Sequence, residues 1–199
     1  MDILIPTILT IITAATPLLF AALGELITEK SGVLNLGVEG MILAGAVCGF
    51  AAVHFSGSAS FGIVAGAAAG ALLSLIFAAL VLGFQASQVA TGLALTIFGV
   101  GLRALIGQDL VGVAYDGLPK VAIPFLSDLP VIGEVLFKHD ALVYVSLLMV
   151  PLVWWFLTYS RAGLVLRAVG DSHDAAHAMG YPVIRIRLMA ILFGGAMAG

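Results

Sequence analysis

The side chains able to do chemistry are few, and most of them gather in one stretch. Between Gly24 and Gly40 the sequence places Glu25, Glu29, Lys30, Asn35 and Glu39, with Gly24, Gly32, Gly37 and Gly40 as breakers, and apolar runs on both sides. Carboxylates and irregular backbone at membrane depth persist only against protein or a water-filled cavity. The stretch therefore reads either as a lining or gating element of a pathway, or as a connecting turn whose Glu29 and Lys30 sit among lipid headgroups. Glu39 is followed by 14 uncharged residues before His54, which makes it the carboxylate least suited to a headgroup position. Further along, Gln85, Gln88, Thr91 and Thr96 offer neutral hydrogen-bonding groups. These suit an uncharged polar solute better than an ion, and they suit bonding between helices equally well. Glu25, Asn35, Glu39, Gln88, Thr91 and Thr96 are the candidate pathway residues.

Other constellations carry less. Gly24-x-x-x-x-Glu29-Lys30-Ser31 has the spacing of a phosphate-binding loop, but Glu29 replaces the second glycine and puts negative charge where backbone amides should cradle phosphate. The chain does not bind ATP by this motif. His173 and His177 stand at i and i+4 with Asp174 between them, a spacing that can share one helix face around a metal. No third ligand accompanies them, so the pair reads as a solvated helix face and no metal or cofactor is expected. No Gly-x-Ser-x-Gly nucleophile motif occurs, and no nucleophile, base and orienting group are assembled. An enzyme is not expected, and no catalytic residue is assigned.

The elements that position these residues follow from composition. The chain has 199 residues, 62% hydrophobic and only 10% charged, with net charge −3. A soluble domain carries about 25% charged residues, so this chain has too few to cover a surface in water. The scatter of eight basic residues gives no patch for nucleic acid. The single cysteine, Cys48, excludes a disulfide framework. Residues 3–24 carry no formal charge and are long enough to cross a hydrocarbon core of about 30 Å. Met1-Asp2 lacks the positive flank of a cleaved signal peptide. The 63 residues between Glu39 and Arg103 contain no Asp, Glu, Lys or Arg. As one helix they would run about 95 Å, so they must fold back twice. The polar clusters HFSGSAS (54–60) and FQASQ (84–88) are the turns, giving spans near 33–53, 59–83 and 89–102, the last being either a tilted span or a half-helix.

Residues 104–140, with Pro119, Pro124 and Pro130, read as an extramembrane loop, 141–158 as a fifth span, and 188–199 as the start of a sixth. The expectation is an all-α polytopic membrane protein of about five spans plus the start of another, a single domain over 1–199 whose C-terminal part is missing. The 161–187 segment holds Arg161, Arg167, Arg185 and Arg187 and fits the cytoplasmic side. Lys30 then lies inside as well, the N-terminus outside, and 104–140 outside. Ser58, Gly62, Gly66, Gly70 and Ser74 recur every four residues, and Gly45-x-x-x-Gly49 and Gly195-x-x-x-Gly199 repeat the theme. Small residues so spaced let helices approach closely.

Within 161–187, Asp171 or Ser172 can cap a short helix over 174–179, Gly180 supplies a left-handed stop and Pro182 prevents continuation. So short a helix cannot bury a core; it lies on the membrane or docks into a partner. The segment RAGLVLRAVGDSHDAAHAMG resembles the cytoplasmic coupling segment of bacterial ABC-importer permeases of the ribose, branched-chain amino-acid and nucleoside group. The matching residues are Arg161, Gly163, Arg167, Ala168, Gly170, Ala175, Ala176 and Gly180. The stretches from Pro17 to Glu25, Ser31 to Met41 and Gln88 to Thr96 are similar to the nucleoside-type branch. Asp171-Ser-His stands where that family usually has Glu-Asn-Pro.

The resemblance implies a permease subunit that passes nucleosides across the bacterial inner membrane while a separate ATPase subunit hydrolyses ATP. It implies a second permease subunit, a periplasmic substrate-binding lipoprotein and contact with membrane lipid. By the same resemblance Arg161, Arg167, Gly170, Asp171, Asp174, Ala175, Ala176 and Gly180 couple to the ATPase. Arg185 and Arg187 are expected to snorkel to headgroups. A sugar or branched-chain amino-acid permease of the same architecture is the nearest alternative. The uncharged 40–102 region offers no cation for a carboxylate, which favours a neutral solute. An ion-coupled carrier using Glu25, Glu29 and Glu39 is the alternative from another class.

Overall fold

A computed structural model describes residues 4–114, 117, 120–122 and 138–199. The helices are α1 (Leu4–Lys30), α2 (Val38–Ser56), α3 (Ala59–Ala78) and α4 (Gln88–Gly107), then α5 (Ala141–Tyr159), α6 (Arg161–Asp171), α7 (His173–Ala178) and α8 (Val183–Ala198). Two three-residue strands, β1 (Lys120–Ala122) and β2 (Lys138–Asp140), pair antiparallel with Val121 opposite His139. Among the described residues five helical segments are long and apolar enough to cross a membrane, namely Ile5–Lys30, Val38–Ser56, Ala59–Gly83, Gln88–Leu110 and Ala141–Tyr159. The chain is a polytopic all-helical membrane protein. Leu147, Leu148, Trp154 and Trp155 on α5 are exposed, as suits a helix whose outer face meets lipid.

Four boundaries differ from the sequence-based expectation, one of them the start of α8, at Val183 where 188 was expected. The first span runs on past Gly24 to Lys30, because Gly24 closes a helix contact instead of breaking a helix: a Cβ there would lie 2.8 Å from the Gly194 carbonyl oxygen. Gly32, at φ +82°, makes the stop. The second span begins at Val38, five residues later than expected, since residues 31–37 form an irregular connection. The fourth is a full span and no half-helix: α4 reaches Gly107 and continues as a 3₁₀ turn over Gln108–Leu110, so the first seven residues of the expected 104–140 loop are helical. Positions 123–137 of that loop lie outside the described residues. The two expected turns are present. Ser58 caps α3 after Gly57 (φ +68°), and α3 ends in a π-helical turn, Ala79–Gly83, before Gln85 at φ +53°.

Close packing is carried by the small-residue faces. Gly62 lies against Gly49 and Val53 of α2, while Gly66, Gly70 and Ser74 meet Gly195 of α8 and Gly199, which follows it. Thus α8 lies between α1 and α3, and Thr28 Oγ1 donates to the Ala190 carbonyl across the α1–α8 contact (3.2 Å). The principal core joins Val33 of the 31–37 connection to Met41, Phe77 and Ile191. A second cluster packs Leu23 and Ile27 of α1 on Val153 and Leu157 of α5 and Leu166 of α6. Helices α2 and α4 cross at Gly40 and Gly99, where a Cβ on Gly99 would stand 2.5 Å from Gly40 Cα.

Replacing Gly99 by Leu is expected to cost about 1–3 kcal/mol by overpacking this crossing. It is read as a lower thermal midpoint in detergent. Gly101→Ala, at a position with no neighbour within 4 Å, leaves the midpoint unchanged or raises it.

Candidate polar strap and extramembrane helix pair

The connection from Ser31 to Gly37 is too short for a helix and is interrupted by two glycines, so its backbone groups need partners from elsewhere. Three of them come from side chains of α1 and α4. The Asn35 backbone N–H donates to Glu25 Oε1 (3.0 Å) and the Leu34 N–H donates to Gln88 Oε1 (2.8 Å). Thr96 Oγ1 donates to the Leu36 carbonyl (3.1 Å). The segment also braces itself: the Gly37 N–H donates to Asn35 Oδ1 (3.0 Å), and Asn35 Nδ2 meets Met41 Sδ (3.5 Å). Asn35 is 2% exposed, so its amide is spent inside the protein. Helix α4 reaches the strap because residue 92 is glycine; a Cβ there would lie 2.9 Å from the backbone nitrogens of Leu36 and Gly37.

Four of the six candidate pathway residues, Glu25, Asn35, Gln88 and Thr96, thus converge on the strap. The other two do not. Thr91 is buried in a crevice with Ile76 of α3, Leu80 of the π-helical turn and Leu95 and Phe98 of α4. Glu39 is exposed on the first turn of α2, where a carboxylate complements the helix dipole. It makes no hydrogen bond to the strap among the described residues. The uncharged run after Glu39 begins with α2, at whose first turn the carboxylate stands.

The 161–187 stretch forms two helices where one short helix was expected. Ser160 caps α6 by accepting from the Gly163 N–H (2.9 Å), and Ser172 caps α7 by accepting from the Ala175 N–H (3.3 Å). Gly180 is left-handed at φ +86° and Pro182 precedes α8. Of the candidate coupling residues, Arg161, Asp171, Asp174, Ala175 and Gly180 are exposed. Ala176 is fully buried against Val169 and Val183, pinning α7 to its neighbours. Gly170 faces inward, where a Cβ would collide with the Lys30 carbonyl oxygen. Both help to place the pair. Arg167 is half-buried and its Nε has no hydrogen-bond partner among the described residues. His173 and His177 stack with ring centroids 6.4 Å apart on the exposed side of α7.

Arg187 departs from the expectation of snorkelling. Its Nε donates to the Ser31 carbonyl (3.0 Å) and its Nη2 to the Val169 carbonyl (3.5 Å). Its sequence signal was available: a helix starting at Val183 places Arg187 on one face with Ala190, Ile191 and Gly194, all buried. These contacts place the α1–α2 strap, the 84–88 turn and the α6–α7 pair on the same end of the bundle.

Five apolar spans, with a polar strap and an anchored helix pair at one end, give the frame of a polytopic membrane protein. The chain belongs to the family described as branched-chain amino acid transport system / permease component, which it matches over residues 7–199. It is similar to TsgC13 of Haloferax volcanii, a permease protein provisionally named for glucose ABC transport, with 42% identity over 192 residues, covering 94% of this chain and 58% of the relative. It is 36% identical to the guanosine ABC transporter permease protein NupQ of Bacillus subtilis, covering 96% of this chain and 66% of the relative. The nucleoside ABC transporter permease protein NupC of Lactococcus lactis is 29% identical, at 93% and 62%. The chain therefore spans about six-tenths of the length of these relatives. No solved structure matches.

Removing the Glu25 acceptor tests the strap. Glu25→Leu leaves the Asn35 N–H without its partner and is expected to cost about 1–3 kcal/mol, whereas Glu25→Gln keeps a carbonyl acceptor and recovers most of it. Thermal midpoints in detergent read the difference, and equal midpoints for the two variants would show that this bond does not hold the strap.

Proposed function

We propose that this chain is the permease subunit of an ATP-driven importer in the cytoplasmic membrane and that its solute is a nucleoside. The family match over residues 7–199 carries the reading. The relatives named for guanosine and nucleosides support the solute class. The strap adds a physical argument. Its groups are neutral apart from Glu25, and α4 meets it with an amide and a hydroxyl, groups that exchange hydrogen bonds with uncharged polar solutes. A branched-chain amino acid is a poorer fit, because the cation on the strap, Arg187, is spent on the Ser31 and Val169 carbonyls, and Glu25, Gln88 and Thr96 offer none to receive a carboxylate. A sugar is the second reading, favoured by the 42% identity to TsgC13.

In this reading residues 161–187 are cytoplasmic. The exposed face of α7, with Asp174 and Ala175, docks into a separate ATPase, and Arg161 and Asp171 on α6 flank that contact. Five basic residues (Lys30, Arg161, Arg167, Arg185, Arg187) then lie on the cytoplasmic end and three (Arg103, Lys120, Lys138) on the other, as the positive-inside rule requires. The β1–β2 ribbon then faces outward, where a substrate-binding lipoprotein delivers solute. A second permease subunit completes the pathway. ATP-driven closure of the ATPase moves the α6–α7 pair, and the differential contact between its two states shifts which end of the pathway is open.

The full-length protein with its partners, in proteoliposomes loaded with ATP, is expected to move labelled guanosine in preference to labelled glucose. The reverse preference would replace the nucleoside by a sugar. Uptake that follows a proton gradient and ignores ATP would overturn the importer itself. Ala175→Asp and Gly180→Val, the latter forcing a β-branched residue to φ +86°, are each expected to lower ATP-driven uptake by about tenfold or more. Membrane insertion is retained in both, since neither side chain belongs to the core.

A further inference from the structure

One cation in this chain is spent on backbone. Arg187 sits one turn into α8, and its guanidinium donates to the carbonyls of Ser31 and Val169. Each acceptor ends a helix: Ser31 follows the last residue of α1, and Val169 lies in the last turn of α6. Carbonyls there have no partner of their own within the helix, and both sit at the negative end of a helix dipole. One planar fork therefore closes two helix ends at once, which a single-point ammonium does less well.

The surroundings leave no slack at this junction. A Cβ on Gly32 would lie 3.1 Å from Gly170 Cα, so the turn after α1 and the end of α6 touch backbone to backbone. Ser31 is fully buried and its Oγ donates to the Thr28 carbonyl (2.6 Å), while Thr28 Oγ1 donates to the Ala190 carbonyl on α8. From Ser31 the strap runs through Gly32 and Val33, whose N–H groups donate back to the Glu29 and Thr28 carbonyls, to Leu34, Asn35 and Leu36, which bond to Gln88, Glu25 and Thr96. An unbroken series of bonds thus leads from α6 through Arg187 to the strap, and from the strap to α4.

We propose that Arg187 is a positioning residue that ties the α6–α7 pair to the 31–37 strap, so that movement of the pair displaces the strap and, through Gln88 and Thr96, helix α4. It touches no solute; it acts through Ser31. The proposal rests on the reading of 161–187 as the coupling segment, and it adds the residue through which that segment reaches the pathway. A rigid junction is what transmission requires, because a ligand or partner shifts a distant element only where the two share contacts that differ between states.

The test uses the full-length protein in two settings. In the assembled complex in proteoliposomes, R187M is expected to keep ATP hydrolysis and subunit recovery while solute moved per ATP hydrolysed falls by about tenfold or more. R187K, which can reach one carbonyl at a time, restores part of that ratio. In the detergent-purified protein alone, hydrogen exchange at Leu34, Asn35 and Gly37 is expected to accelerate in R187M and less in R187K. R187Q, which keeps a neutral donor at the site, carries the same comparison where R187M fails to insert. An unchanged transport-to-hydrolysis ratio, or loss of both together with fewer assembled complexes, would overturn the proposal. So would unchanged exchange in the strap. If the unsubstituted complex shows no ATP-dependent uptake, the coupling reading fails by itself, and the exchange measurement still decides whether Arg187 holds the strap.

Discussion

A backbone that leaves the helix inside a packed bundle must find partners for its amides and carbonyls, and residues 31–37 are where this chain meets that demand. An unpaired buried group costs about 1–3 kcal/mol, so a seven-residue interruption could not persist on packing alone. The partners come from every side. Glu25 on α1 and Gln88 on α4 accept amides, Thr96 on α4 donates to a carbonyl, and Arg187 on α8 donates to the first residue of the segment. The polar side chains that make this a candidate functional site are the same ones that let the irregular backbone exist. Structure and site are therefore one arrangement, and a change of state that moves the strap has to exchange these bonds for others.

Delivery of those partners depends on close helix approach. Lipid offers no hydrophobic drive for helices to associate, so packing and hydrogen bonding between backbones carry the assembly. Gly92 lets α4 come against the strap, Gly40 and Gly99 let α2 and α4 cross, and the Gly62, Gly66, Gly70 and Ser74 face admits α2 and α8. Helix α8 gains a central place in this way, seated between α1 and α3. It is also the helix joined directly to the α6–α7 pair by the Gly180 stop and Pro182. The α6–α7 pair at the end of the bundle is thus linked covalently to a helix at its centre.

Much of this was legible in the residues. Charge-free runs counted the spans, since length against bilayer thickness leaves little choice, and the HFSGSAS and FQASQ clusters located the turns. The four-residue spacing of Ser58 to Ser74 marked a packing face because helical period is local geometry. Ser172, Gly180 and Pro182 punctuated α7 through their own dihedral and capping preferences. All of these are properties of a residue and its near neighbours along the chain.

What the sequence could not decide was the partner of each polar group. Glu25 and Glu39 look alike as carboxylates beside apolar runs, yet one holds the Asn35 amide and the other is exposed on the first turn of α2. Gly24 and Gly32 look alike as helix breakers, yet one packs on Gly194 within a continuous helix and the other ends it at φ +82°. Ala176 and Ala175 are adjacent in one motif, and only the first is consumed by the core. Arg185 and Arg187 are two residues apart, and only the second faces inward to close two helix ends. Composition and period fixed the spans and their faces, because those depend on local hydropathy. Which face meets which was decided only by the tertiary structure, because contacts between residues 31 and 187, or 34 and 88, arise from the packing of whole helices.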